Sequence, residues 1–203
     1  MTMNLIETCD KIFAQAIECY HTHDDVDFPM PVLYDSGSFE MLIFHKCYID
    51  TVQWHLEDII RDPNIDPIDA LKIKRRIDAS NQDRTDKVEY IDNFFLDKYK
   101  SIIPLESATL NTETLAWAVD RYSILALKIY HMNAEVIRPN VSEEHIFNCQ
   151  TKLNVLLDQR NDLSTSIKQL IEDIEAGKKI IKTYKQMKMY NDPSLNPVLY
   201  VEK

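Results

Sequence analysis

Only two glycines, Gly37 and Gly177, occur in the 203 residues. A β-sheet protein of this length needs glycine at many tight turns, because hairpin turns demand positive φ, whereas a few long helices do not. The scarcity predicts an all-α chain. No uninterrupted apolar run approaches the eighteen or so residues that a membrane-spanning helix needs, and MTMNLIETCDKIF lacks the charged-then-apolar layout of a signal peptide. The expected location is cytoplasmic, with no membrane partner. Cys9, Cys19, Cys47 and Cys149 never form a C-x-x-C pair, which points to reduced core thiols and away from a disulfide or zinc framework. A basic excess is missing too. The net charge is −10 and the pI near 5.0, the opposite of what a nucleic-acid binder uses to displace counterions. Lys178, Lys179, Lys182, Lys185 and Lys188 read as a solvated flank.

What is present is helical periodicity. With 45% apolar residues, the chain can bury a sizeable core, and one domain is expected over 1–203: a bundle of about five main helices, with an irregular loop at about 21–37 and an extended C-terminal arm at about 191–203. The first helix runs from a cap at Asn4 to Tyr20. The second runs from Ser38 to Arg61 along the seam Leu42, His45, Ile49, Val52, Leu56, Ile59. Asp66 and Pro67 open the third, which continues to about Lys98. Asn111 and Thr112 open the fourth, which reaches Arg138. Its stretch YSILALKIYHM is apolar nearly all round, the mark of a central helix. Ser142 caps the last, where Leu153, Leu156, Arg160, Leu163, Ile167, Leu170, Ile174, Gly177, Ile181 and Tyr184 keep coiled-coil steps. Because the phase survives Gly177, this helix is expected to run from Glu143 to Met189, roughly 70 Å at ~1.5 Å per residue. That exceeds a compact domain, so one end should project or pair with a second subunit, and a homodimer through this helix is expected.

The informative residues are polar groups on apolar faces. The third-helix seam Ile73, Ile77, Asn81, Arg84, Val88, Ile91, Phe95 carries Asn81 and Arg84 inward, beside a polar stripe of Asp78, Gln82, Asp86 and Glu89. Trp54, Asp58 and Arg61 share one side of the second helix, with His55 adjacent. Glu113, Trp117, Asp120, Ile124, Lys128 and His131 form a stripe on the fourth, next to Arg121. Arg160 requires a carboxylate, for which Asp120 and Glu113 are the candidates. Unpaired buried charges are expensive, so His45, Asn81, Arg84, Asp120, Lys128 and Arg160 predict one of two things: a register-fixing network, or an inter-helix pocket for an anionic or phosphate-bearing small molecule.

The pocket reading takes Trp54, His55, Asp58, Arg61, Asn81, Arg84, Asp120, Arg121, Lys128 and Arg160 as ligand-binding residues. A third reading is a metal-dependent, all-α nucleotide pyrophosphohydrolase, for which Asp58, Asp86 and Glu89 are the candidate metal ligands. The residues do not decide between enzyme, binding protein and structural or interaction protein, and a divalent metal is the cofactor this chemistry accommodates. His21, His23, Asp24, Asp25 and Asp27 could also take a divalent metal, although a polar cluster before a Pro-rich loop is ordinarily solvated surface.

Five strings recur in order: WHLEDIIR (Trp54 to Arg61), KRRIDASNQDRTDKVEYID (Lys74 to Asp92), LNTET (Leu110 to Thr114), DRYSILALKIYHM (Asp120 to Met132) and KMYNDPSLNP (Lys188 to Pro197). Together they resemble an uncharacterised bacterial helical family, domain of unknown function 4254. Where the family pattern continues Asn-Ser-Glu-Thr-Pro-Gly, this chain has Asn111-Thr112-Glu113-Thr114-Leu115-Ala116, and Thr85-Asp86 stands where Asn-Asp is common. The resemblance implies a single helical domain and names no reaction. It draws attention to Trp54, His55, Glu57, Asp58, Arg61, Arg76, Asp78, Asn81, Gln82, Arg84, Asp86, Asn111, Glu113, Asp120, Arg121, Lys128 and His131.

Overall fold

Each long helix begins where a short polar side chain can accept from the backbone N–H groups that the first turn leaves unbonded. In the computed structural model, which describes residues 4–187 and 192–200, Asn4 caps α1 (Leu5–His21), Ser38 caps α2 (Phe39–Ile60) and Asp66 caps α3 (Pro67–Tyr99), with Pro67 in the first turn. Ser142 caps α5 (Glu143–Glu175). The start of α4 (Leu115–Val136) differs from the expected Asn111–Thr112: Thr114 accepts from the Trp117 N–H, while Asn111 turns its amide to the Glu113 carbonyl at 3.1 Å.

The end of α5 corrects the expectation of one helix reaching Met189. The Gly177 N–H bonds to the Ile174 carbonyl at 2.9 Å and the Lys178 N–H reaches back to Asp173 at 2.8 Å, with Gly177 at φ +69. That is the left-handed helix stop glycine favours. A Cβ here would sit 3.0 Å from the Ile103 carbonyl oxygen, so the glycine also permits a close backbone approach. The apolar spacing persists past it because Ile181 packs on the core from an extended segment. That segment pairs with the loop before α4 through a parallel bridge between Thr109 and Lys179. At 33 residues, α5 is about 50 Å long, shorter than the roughly 70 Å expected of an unbroken helix to Met189. The C-terminal arm is likewise not simply extended: a 3-10 turn spans Pro193–Leu195 and a single helical turn, α6, spans Pro197–Tyr200. The remainder of the expected arm, residues 191 and 201–203, lies outside the described residues.

Phe13, Phe44, Ile91, Phe95, Val119 and Ile167, drawn from all five long helices, belong to one hydrophobic cluster. Helix α4 packs on each of the other four. Its burial is concentrated between Leu115 and Leu127, and Lys128 and Tyr130 are exposed. Helix α2 lies against α1, α3 and α4, so its buried surface is wider than one stripe. Ile43, Phe44, Cys47 and Thr51 are fully covered, while the expected seam residues Leu42, His45, Ile49 and Val52 are half-buried and Ile59 is exposed. Among the described residues no helix is long and apolar enough to cross a membrane, and all four cysteines are free.

Candidate functional site

Lys46 and Asp50 stand one turn apart on the covered face of α2, with relative exposures of 0% and 6%. A buried ammonium must find acceptors. Lys46 Nζ donates to Asp50 Oδ2 at 2.5 Å and to the Asp120 carbonyl at 3.0 Å, and lies 2.8 Å from Asp120 Oδ1. Arg84 enters from α3: Nε donates to Asp120 Oδ1 at 3.0 Å and Nη2 to Oδ2 at 2.8 Å, with Nε 3.3 Å from Asp50 Oδ1. Ser123 Oγ donates to Asp50 Oδ2 at 2.8 Å. Two cations thus meet two carboxylates from three helices. Burial pushes the Asp50 carboxyl above its ordinary pKa, against the pull of Lys46. Burial also opposes ionisation of Asp120, but Lys46 and the Arg84 fork outweigh it and hold that carboxyl below the ordinary value. Lys46, Asp50 and Ser123 are absent from the sequence-level candidates. The one trace of them is a Lys and an Asp at i, i+4 on an apolar face.

Arg84 separates two hollows. One, of about 430 Å³, is walled by Trp54, Ile124 and Leu127 and carries Asp50, Gln53, Glu57, Asp58 and Arg61. The other, about 740 Å³ and wider, carries Glu113, Asp120, Arg121, Lys128, Gln159 and Asp162. Arg84 and Ile124 line both. Most cations here are already engaged: Arg61 with Glu57 at 3.2 Å, Arg121 with both Glu113 oxygens at 3.0 and 3.1 Å. Lys128 has no carboxylate partner among the described residues, and Arg84 Nη1 makes no hydrogen bond there either.

The expected ligand residues therefore divide. Trp54, Asp58, Arg61 and Arg84 meet at the first hollow, and Arg84, Asp120, Arg121 and Lys128 at the second. Asn81 accepts from Gln53 Nε2 at 3.0 Å beside them. Arg160 belongs elsewhere. Its partner is Asp10 of α1 at 2.8 Å, and neither expected acid is available, because Asp120 holds Lys46 and Arg84 while Glu113 holds Arg121. Asp58, Asp86 and Glu89 are not brought together either: Asp86 accepts from Gln82 at 2.8 Å and Glu89 from the Gln186 backbone N–H at 3.0 Å.

His55 sits in a different group, with His21 from the end of α1 and His131 from α4. One ring nitrogen of each lies within 4.8 Å of the others. Burial, then the nearness of His55 and His21, lowers the His131 pKa to about 4, and burial, then His21, lowers that of His55. Of the loop residues expected beside His21, Asp24 bonds to its ring, His23 stacks on Phe28, Asp25 accepts from the Asp27 N–H and Asp27 pairs with Arg76. His45 lies apart, its Nε2 buried and without a hydrogen-bond partner among the described residues.

A family model described as a protein of unknown function (DUF4254) matches residues 40–183. The chain belongs to that family. The DUF4254 span contains the whole Lys46, Asp50, Arg84, Asp120 and Ser123 group, every residue lining both hollows, and two of the three clustered histidines; His21 lies before it. No curated protein and no solved structure is matched.

In this DUF4254 chain the chemistry of the region is that of a positioned guanidinium. Two carboxylates orient Arg84 from behind, and hydrogen bonds to Asp120 together with the charges of Asp120 and Asp50 raise its pKa despite burial. Such a group presents its remaining N–H edge in one direction with little entropy left to lose.

Proposed function

We propose that this protein binds a small anionic molecule, a carboxylate or a phosphate monoester, in the hollows flanking Arg84. The observation that carries the reading is Arg84 itself, fixed through Nε and Nη2 to Asp120 and lining both hollows, with no hydrogen bond from Nη1 among the described residues. Pocket-sized space, an aromatic wall at Trp54 and a second cation at Lys128 support it. The inner part of the network, Lys46 with Asp50 and Ser123, is architecture in this reading, which absorbs the structural alternative without excluding a ligand. A pyrophosphohydrolase draws no support from the carboxylates, because Asp58, Asp86 and Glu89 do not converge.

Thermal unfolding with inorganic phosphate, a sugar monophosphate, a nucleoside monophosphate and a dicarboxylate tests this, since a ligand that binds only the folded state raises Tm with concentration. At least one should give a saturable rise. Lys128→Ala should weaken the response several-fold while leaving the unliganded Tm unchanged. No concentration-dependent rise with any of the four at millimolar levels would sink the reading.

A further inference from the structure

Neutral imidazole has one nitrogen that needs a donor or a cation. In His21, His55 and His131 the Nε2 atom is buried and has no hydrogen-bond partner among the described residues, although each histidine comes from a different helix and one ring nitrogen of each approaches within 4.8 Å of the others. Three buried imidazoles, each with an unsatisfied nitrogen and each bringing a nitrogen close to the other two, are costly apart and useful together.

The surroundings fix how these rings stand. Each is stacked face to face on its own aromatic partner: His21 on Tyr130 at 4.5 Å, His55 on Tyr20 at 4.6 Å and His131 on Trp54 at 4.6 Å between centroids. Among themselves the three rings are steeply inclined, at 77°, 75° and 65°, and one nitrogen of each lies within 4.8 Å of the others. Asp24, in the left-handed conformation at φ +49 just beyond α1, turns its carboxylate back to His21 Nδ1 at 2.7 Å. A carboxylate on Nδ1 places the proton there and leaves the Nε2 lone pair facing inward, as it does for metal-bound histidines.

We infer that His21, His55 and His131 form a binding site for a divalent first-row transition ion such as Zn2+, with Asp24 orienting His21. Three neutral nitrogens select this class over Mg2+ and Ca2+, which take oxygen ligands. Tetrahedral coordination at about 2.0–2.1 Å would bring the nitrogens to about 3.3 Å from one another, a closure of roughly 1 Å per ring, and three protein ligands leave the fourth position open. The other convergent set among the described residues, Glu135, His145 and Cys149, is a poorer candidate because His145 Nε2 is already 3.0 Å from Glu135 and 3.4 Å from Cys149. The inference does not rest on the anion-binding reading.

The test is titration of the chelator-treated full chain with Co2+, read by visible absorption, and with Zn2+, read by calorimetry. One equivalent of each should bind. His55→Ala and His131→Ala should each weaken binding at least tenfold, while His45→Gln and His145→Gln leave it unchanged. Flat titrations, which a buried water in place of the ion would produce, would overturn the site, as would dependence on His145 in place of His55 and His131. Should the alanine variants fail to fold, the imidazole nitrogen resonances of the unaltered protein decide: His21, His55 and His131 must shift together on adding Zn2+, and unmoved resonances overturn the assignment.

Discussion

Lys46 and Asp120, 74 residues apart in the chain, meet twice: the ammonium lies 2.8 Å from one carboxylate oxygen and donates to the Asp120 backbone carbonyl at 3.0 Å. The pair therefore fixes the depth of α2 against α4 as well as its charge balance. Lys46→Met leaves two buried acids facing Arg84 alone and should cost about 3–5 kcal/mol, as breaking one side of a buried pair does. Adding Asp50→Leu restores one cation to one acid and should recover most of that loss. Urea midpoints of the single and double variants check both statements; a single variant within ~1 kcal/mol of the parent would refute the cost.

Asp10 serves two partners of unequal burial. Arg160 reaches it at 2.8 Å with 39% of its side chain exposed, whereas Tyr122, 2% exposed, donates its hydroxyl to Asp10 at 2.7 Å. Arg160→Met should therefore cost no more than ~1 kcal/mol, the range of a solvated ion pair. Asp10→Leu strands a buried hydroxyl and should cost about 1–3 kcal/mol. If denaturation shows the arginine variant to be the weaker of the two, this ordering is wrong.

The two glycines should respond differently to alanine. Both have positive φ, +83 at Gly37 and +69 at Gly177, so each substitution carries a left-handed backbone cost of about 1–2 kcal/mol. At Gly37 nothing lies within 4 Å of an added Cβ, while at Gly177 the Ile103 oxygen lies at 3.0 Å. Gly177→Ala should lower Tm more than Gly37→Ala; equal shifts would mean that the loop around Ile103 yields freely.

Acid should weaken the chelator-treated protein through His131. Its folded pKa of about 4 lies below the ordinary 6.5, so both states are neutral above about pH 6.5 and its contribution is fully present there. Between 6.5 and about 4 the unfolded chain takes a proton that the folded chain refuses, and stability falls by at most about 1.4 kcal/mol per pH unit. His55 and His21 reinforce the shift, while Asp58 and Asp24 oppose it. His131→Phe should show a shallower decline than the parent in urea midpoints measured across that window, and parallel declines would contradict the assignment.

Helix starts were legible because capping chemistry is local: Asn4, Ser38, Asp66 and Ser142 all cap where their spacing indicates. Arg84 was legible as well, since an arginine on an apolar seam stands out in one helix alone. Tertiary partnership was not. Arg160 needed an acid, but only the packing of α1 against α4 brings Asp10 next to Tyr122, and hence to Arg160. Lys46 and Asp50 were hidden because single-stripe periodicity fails for a helix with three neighbours. The histidines carry no spacing signal at all, one lying on each of three helices. Gly177 ends α5 by turning left-handed at φ +69, with the Lys178 N–H reaching back to Asp173, and apolar residues spaced three and four apart on either side of it conceal that stop.

The bridge between Thr109 and Lys179 closes a loop 70 residues long with a few backbone hydrogen bonds, among them Thr109 N–H to the Lys178 carbonyl and Ile180 N–H to the Thr109 carbonyl, each at 3.0 Å. So small a gain cannot offset the entropy of closing that loop by itself. The bridge can form only after α4 and α5 have already brought its ends together, which makes it a late event in folding. By the same reasoning it is the place where the native protein first opens, and amide exchange at Thr109 and Ile180 should run ahead of exchange in the helices they follow.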